Sequence, residues 1–323
     1  MSTIRMGWET WLALGVEANI GTFAAPTYLW EGEGADSLTF GYQRTDARPV
    51  SGYRATQAAS IRNTHQLPGG ALPAMPIWMD GSSLMLLNVL KNHFVGSVGS
   101  TGGSVWTFSP ATVQKATASF YGLTCVKRTG IDGRAEAYAG GVIDELVLGG
   151  QHGGFITMTP TLKFLSGTHH ATAGTGSFAP SIRPYFTFAD TTVSWQGESI
   201  YPNAWSLTSR NGIPDRLGPG VLRRVAYALG GWSGEASLTV PRDDSMWTNY
   251  LTKYITPSVG TLIVTGTASS GTIGGGGVQA WSMTAILTPR PFDVPAQDGE
   301  LMDTISFDMT ALTIAVKSDA STL

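Results

Sequence analysis

The chain has 323 residues, of which 13% are charged, with a formal net charge of −3 and a single cysteine. A slightly acidic balance argues against a surface built to coat nucleic acid, leaving a local basic patch open, and one cysteine excludes an internal disulfide. Few charges, 41 glycines and abundant Thr, Ser and Val predict a mostly β protein of many short strands, long enough for two domains.

Residues 1–30 read as an N-terminal arm. Arg5 precedes Met6–Ala18, but Glu9 and Glu17 interrupt that stretch, so it lacks the apolar centre of a signal peptide. No apolar run reaches the roughly 20 residues a membrane helix needs. The expectation is a chain made and assembled in a cytoplasm, with no membrane contact. Gly15–Thr22 is turn-rich, and Leu38-Thr39-Phe40 begins a strand. Arg44–Arg54, with Pro49 and Gly52, reads as a long exposed loop or hairpin, and Ala58–His65 as the strand returning from it.

Leu84, Leu87, Val89, Leu90 and Phe94 form an apolar stripe that predicts a helix over Gly81–Phe94, capped by Asp80 or Ser82. Val95–Gly103 reads as a Gly/Ser loop. Strands are predicted at Val105–Phe108, Ala116–Arg128, Ala137–Leu148 and Phe155–Leu165. Ser166–Pro184 has no period and is rich in Gly, Ser and Thr, so it reads as a linker. The predicted division is a first domain at 31–168, a linker at 169–184 and a second domain at 185–323.

The second half continues with strands at Tyr185–Phe188, Thr192–Gln196 and Asn203–Thr208, then a polar loop at Ser209–Arg224. Val225–Leu229 and Glu235–Val240 follow as strands. A helix is predicted over Ser245–Tyr254, capped by Asp243 or Asp244. Thr261–Thr267, Ala280–Pro289 and Glu300–Leu312 complete the strands, with a hairpin tip at Ser269–Gly277.

The two halves follow one order. Ser37-Leu38-Thr39 precedes an Arg/Asp/Pro/Gly stretch, an apolar run ending at Met79-Asp80 and a helix. Ser206-Leu207-Thr208 precedes another such stretch, the run Glu235–Pro241 and a helix. Duplication suggests a building block of a symmetric assembly. So few charges would also leave strand edges unguarded unless partner copies or the monomer's own loops cover them.

No catalytic constellation stands out. Gly274–Gly277 lacks the Lys-Ser/Thr and helix of a phosphate loop and reads as a hairpin tip. His152-Gly153-Gly154 has the look of an oxyanion segment, but the chain has no Gly-x-Ser-x-Gly nucleophile elbow. His169 and His170 are adjacent and point to opposite faces of a strand. Asp243 and Asp244 could be an acid/base pair but are more simply a helix cap. Asp144-Glu145 has no basic neighbour in sequence. Cys125 reads as a small buried hydrophobe, and most of the ten tryptophans as core rather than sugar platforms. The basic loops carry more. Arg44, Asp46, Arg48 and Arg54 have a counterpart in Arg210, Asp215, Arg216, Arg223 and Arg224. They are either solvated loops or equivalent polar contacts to a neighbouring subunit.

The order of elements resembles the tail tube proteins of long-tailed, non-contractile bacteriophages. The resemblance is carried by Gly15–Pro26, Leu72–Leu90, Val105–Pro110, Tyr138–Leu146 and Gly234–Tyr254. It implies two tandem β-sandwich or barrel-like domains, each with one flanking α-helix, whose inner sheets join into a β-barrel ring. Family members with one domain form hexamers; two domains per chain imply a trimeric, pseudo-hexameric ring. Rings would stack into a hollow conduit for genome delivery, in the virion tail, assembled in the host cytoplasm. The implied partners are other copies of the chain, a tape measure protein, and tail terminator and tail tip proteins. Phage DNA would pass without specific binding, and no cofactor is expected. By position, Arg44–Arg54 and Ser209–Arg224 would reach the adjacent ring, and Gly7–Pro26 would bridge subunits. A carbohydrate-binding or head-decoration protein, a terminator or baseplate ring protein, and a hydrolase using His152 or Asp244 are the alternatives.

Overall fold

The structure, a computed structural model, describes residues 11–47, 60–79, 94–99, 104–110, 122–128, 135–170, 184–218, 224–227, 231–241, 259–267, 280–290 and 302–318. These residues are mostly strand, and every pairing between named strands is antiparallel. The predicted helices and their caps Asp80, Ser82, Asp243 and Asp244 lie outside the described residues, save Phe94, which opens a strand.

The first half carries β1 (Trp11–Val16), β2 (Tyr28–Leu29), β3 (Tyr42–Ala47), β4 (Ser60–Gln66), β5 (Gly69–Ala71) and β6 (Met75–Pro76). It continues with β7 (Phe94–Gly99), β8 (Ser104–Pro110), β9 (Leu123–Arg128), β10 (Ala135–Gln151), β11 (Thr157–Lys163) and β12 (Ser166–His170). The second half carries β13 (Thr191–Trp195), β14 (Glu198–Ile200), β15 (Ala204–Arg210), β16 (Asp215–Leu217) and β17 (Arg224–Tyr227). It ends with β18 (Ser233–Pro241), β19 (Gly260–Thr267), β20 (Ala280–Pro289) and β21 (Met302–Ser318).

Three sequence expectations change. Val95–Gly99 is not loop but half of the β7–β8 hairpin. Ser166–His170 is not linker but a strand paired with the start of β10. Residues 11–16 are not a free arm but β1, paired with both β2 and β9 and buried from Leu12 to Leu14. Glycine-rich or short segments have little intrinsic strand signal; the ladder bonds of their neighbours make them strands.

Among the described residues seventeen strands join one hydrogen-bonded network. Its main run is β11–β10–β15–β18–β21–β20–β19–β13–β14, with β5 and β6 beside β11 and β8 beside the end of β21. The long strand β10 serves two sheets. Its first residues pair with β9 and β12, and Glu145–Gln151 pair with β15. The change falls at Gly140, where φ is +68° and the register against β9 shifts. That conformation is strained for any residue with a Cβ. The pairing of β10 with β15 also carries one sheet across the 169–184 boundary.

The network closes on itself. Ile156 N–H donates to the Phe186 carbonyl (3.1 Å), and Phe186 N–H donates to the Ile77 carbonyl (2.8 Å). The segment leading into β13 is thereby tied to the start of β11. Alternation along the strands sends Trp205 and Leu207, Leu238 and Val240, Phe307, and Trp281 and Met283 inward. Each such side chain contributes about 1.5–3 kcal/mol by leaving water. The interior is therefore a filled core shared by both halves, not a channel within one chain.

Large indoles need room. Gly266 stands directly opposite Trp281, and a Cβ there would lie 2.3 Å from the indole nitrogen. The indole N–H groups of Trp195, Trp205 and Trp281 have no hydrogen-bond partner. Burial of the rings must outweigh that cost.

Candidate functional site

The side of the main sheet facing away from the core is built from small polar residues. Thr157, Gly149, Ser206, Ser237 and Ser306 stand directly opposite one another across β11, β10, β15, β18 and β21. Their hydroxyls serve each other: Ser206 and Ser237 oxygens are 2.9 Å apart, and Thr239 and Thr304 oxygens 3.1 Å apart. Short side chains bonded sideways leave a smooth surface. The signal was present in sequence as Ser or Thr at alternate positions of these strands, but no lining residue could be assigned without the registers.

Two arginines and three carboxylates on this face form a row. Arg210 Nε donates to Glu145 (2.6 Å), and its Nη1 lies 2.6 Å from Glu235. Arg290 reaches Glu235 at 3.0 Å through Nη2 and Asp308 at 2.7 Å through Nε. Both arginines on the row are thus matched by carboxylates, and three carboxylates to two arginines leave the row net acidic. The hydrogen bonds from Arg210 and then Arg290 hold the Glu235 carboxyl below its ordinary value of 4.5. Glu235, then Glu145, raise Arg210, and Asp308, then Glu235, raise Arg290.

Because the folded Glu235 carboxyl is depressed, its stabilisation is present above about pH 4.5 and fades as pH falls through the lower folded value. The Glu235 side chain is 37% exposed, so Glu235→Gln should cost less than about 1 kcal/mol, and less still in high salt. Urea midpoints at pH 7 and pH 3.5, with and without salt, check this. Equal losses at both pH values would contradict the assignment.

The sequence-predicted interface residues fall into four groups. Arg44 and Asp46 lie on β3, opposite Asn63 and Ile61 of β4. Asp215 and Arg216 are exposed on β16, and Arg224 lies on β17 opposite Leu217. Arg48, Arg54 and Arg223 are outside the described residues. Arg210 belongs to neither hairpin; it ends β15 and is engaged in the charge row. The two stretches form two-stranded sheets, β3–β4 and β16–β17, each separate from the main network. Each follows the matching Ser-Leu-Thr and precedes the next strand of the sheet.

Asp243, Asp244 and Gly274–Gly277 lie outside the described residues, and the candidates within them pack or pair locally. His152 has its ring edge-on to Phe188, and His169 packs on Phe40. Asp144 accepts Lys163 (2.9 Å) and the Ile213 N–H (3.0 Å), pinning the chain after β15 to the bulge in β10. Among the described residues no cluster of His, Cys, Asp and Glu could hold a metal. Of the tryptophans, Trp30, Trp106, Trp195, Trp205 and Trp281 are buried, as core side chains should be. Cys125 is also buried, and burial followed by the Asp36 charge pushes its thiol upward. Native protein should therefore resist aromatic disulfide reagents and react stoichiometrically only in denaturant; rapid native labelling would contradict it.

Fold and face together define a charge-poor, mostly antiparallel β protein with a polar sheet surface. No protein-family model matches the chain, and no curated protein matches it.

Proposed function

We propose that this protein is a structural subunit of a phage tail tube, a doubled tube module that assembles three to a ring. The observation that carries the reading is the neighbour order in the two halves. In the first half, residues 37–39 pair with β5, β5 and β6 with β11, β11 with β10, and β10 with β9. In the second, β15 pairs with β18, β18 with β21, β21 with β20, and β20 with β19. The same plan occurs twice, with a detached hairpin at the same place in each copy. The two units stand side by side in one sheet, joined by β10 and β15.

Such a chain supplies two consecutive arcs of a larger barrel, and continuing the sheet from chain to chain satisfies the strand edges. The small hydroxyl-rich face then lines the opening. Its arginines Arg210 and Arg290 are held by carboxylates, which weakens their grip on phosphates and favours sliding DNA. The hairpins β3–β4 and β16–β17 become the contacts between stacked rings, and tape measure, terminator and tip proteins become the partners at the tube ends.

Negative-stain images of concentrated protein should show rings or tubes with a central hole, and native mass spectrometry three chains per ring. A compact particle that stays monomeric at every concentration, quenched by polysaccharide, would support a carbohydrate-binding protein instead.

A further inference from the structure

The doubled plan sets a filled place in the first half against a cavity in the second, and the ladders show that the two correspond. Ser37 N–H donates to the Ala71 carbonyl, and Ala71 lies opposite Thr161. In the second half Ser206 lies opposite Ser237, and Ser237 opposite Ser306. Three residues before Thr161 and Ser306, Met158 lies opposite Met75 and Asp303 opposite Val240. Ala74 therefore corresponds to Thr239. The Ala74 carbonyl accepts the Glu33 N–H, and the Thr239 carbonyl accepts the Asn203 N–H, so Glu33 corresponds to Asn203. Counting back three residues from each sets Trp30 against Ile200. The next ladder agrees. Trp30 N–H donates to the Leu12 carbonyl of β1, beside β9, and Ile200 lies opposite Val193 of β13, beside β19.

Both members of this pair are smaller in the second half. In the first, the Trp30 indole is 4% exposed, packs in the core beside Leu12 and donates through Nε1 to the Pro73 carbonyl at 2.9 Å. In the second, Val193 and Ile200 stand in place of Leu12 and Trp30, and both line a cavity of about 300 Å³. Side chains too short to fill their place leave such a space when the surrounding strands are held by their own ladders. The Phe188 and His152 rings share the wall, set edge to face at 6.4 Å, and the exposed Tyr201 stands at the mouth with Asn203. Size and lining match a small-molecule site, apolar within and polar at the rim.

We propose that the cavity between the β13–β14 hairpin and the end of β10 binds a small aromatic ligand with a flat ring system of indole size. The ring takes the part in the second half that Trp30 plays in the first. Aromatic faces and edges in the wall favour a flat ring over a saturated one, and apolar protein cavities do take up free aromatic molecules. His152 and Asn203 at the rim offer acceptors for a ring N–H or hydroxyl, as the Pro73 carbonyl does for Trp30. The site needs only the correspondence between the halves and holds whether or not rings form.

Titration calorimetry of indole into the purified protein tests it. Saturable, single-site binding should appear with a Kd of about 1 mM or tighter. Photolysis with an aryl diazirine should label the peptide spanning residues 188–203, and excess indole should suppress the label. Ile200→Trp, which repeats Trp30 in the second half, should fold as wild type and weaken indole binding at least about 10-fold by filling the cavity. No saturation up to about 10 mM indole, or a label on other peptides, would overturn the proposal from wild-type protein alone. A folded Ile200→Trp chain that binds indole as wild type does would overturn it as well.

Discussion

Glu17→Ala should lower stability by about 2–5 kcal/mol, because it strips the acceptor from two buried donors and from the N–H of the more exposed Gly21. Glu17 is fully buried. Its Oε1 accepts the Gly140 N–H and the Thr124 hydroxyl, each at 2.8 Å, and its Oε2 accepts the Gly21 N–H at 2.7 Å. Thr124 in turn accepts the Ala24 N–H at 3.0 Å. One carboxylate thereby ties the turn after β1 to β9 and to the bend of β10. Space around it is tight: a Cβ on Gly122 would lie 2.1 Å from Oε2. Glu17→Gln should do less damage. Its oxygen can keep Gly140 and Thr124, while its amide opposes the Gly21 N–H. Urea unfolding of the three proteins gives the order wild type, Gln, Ala; equal stability of Ala and wild type would refute the role.

The second large effect concerns Gly266. Gly266→Ala should cost roughly 1–3 kcal/mol through overpacking against Trp281. The indole cannot swing aside. It is wedged between Phe186, edge-on at 5.8 Å, and Trp205 at 6.5 Å between ring centres. Trp281→Ala alone should cost about 3–5 kcal/mol. With the indole gone, the glycine's reason for being there is gone too, and Gly266→Ala should become neutral or slightly stabilising, since alanine loses less backbone entropy than glycine. A double-mutant cycle in urea measures this coupling, and strict additivity would show that the contact is not what constrains the site.

The registers explain how much was legible beforehand. Ala280–Pro289 and Glu235–Val240 alternate strongly, and both are strands almost to the residue. Burial of every second side chain writes itself into sequence. The polar stretches after Ser37 and Ser206 were readable as hairpins or loops for the same local reason, an interruption of apolar alternation. The β7 and β12 strands were not readable. Phe-Val-Gly-Ser-Val-Gly and Ser-Gly-Thr-His-His lack alternation, and only the partners β8 and β10 make them strands. Arg210 was grouped with loop arginines because it sits at the start of a polar run. Its carboxylate partners, Glu145 and Glu235, lie 65 and 25 positions away in sequence, and no local pattern announces them.

The amino-acid sequence alone determined the β class, the impossibility of an internal disulfide and the hydroxyl-rich alternation of the strands, because each depends on composition or on neighbours within a few residues. The tertiary structure decided which strands adjoin, which face is polar and where the charge row closes. Those properties come from pairing between segments far apart in the chain, and hydrogen-bond registers between distant strands are chosen only when the whole core closes around its tryptophans.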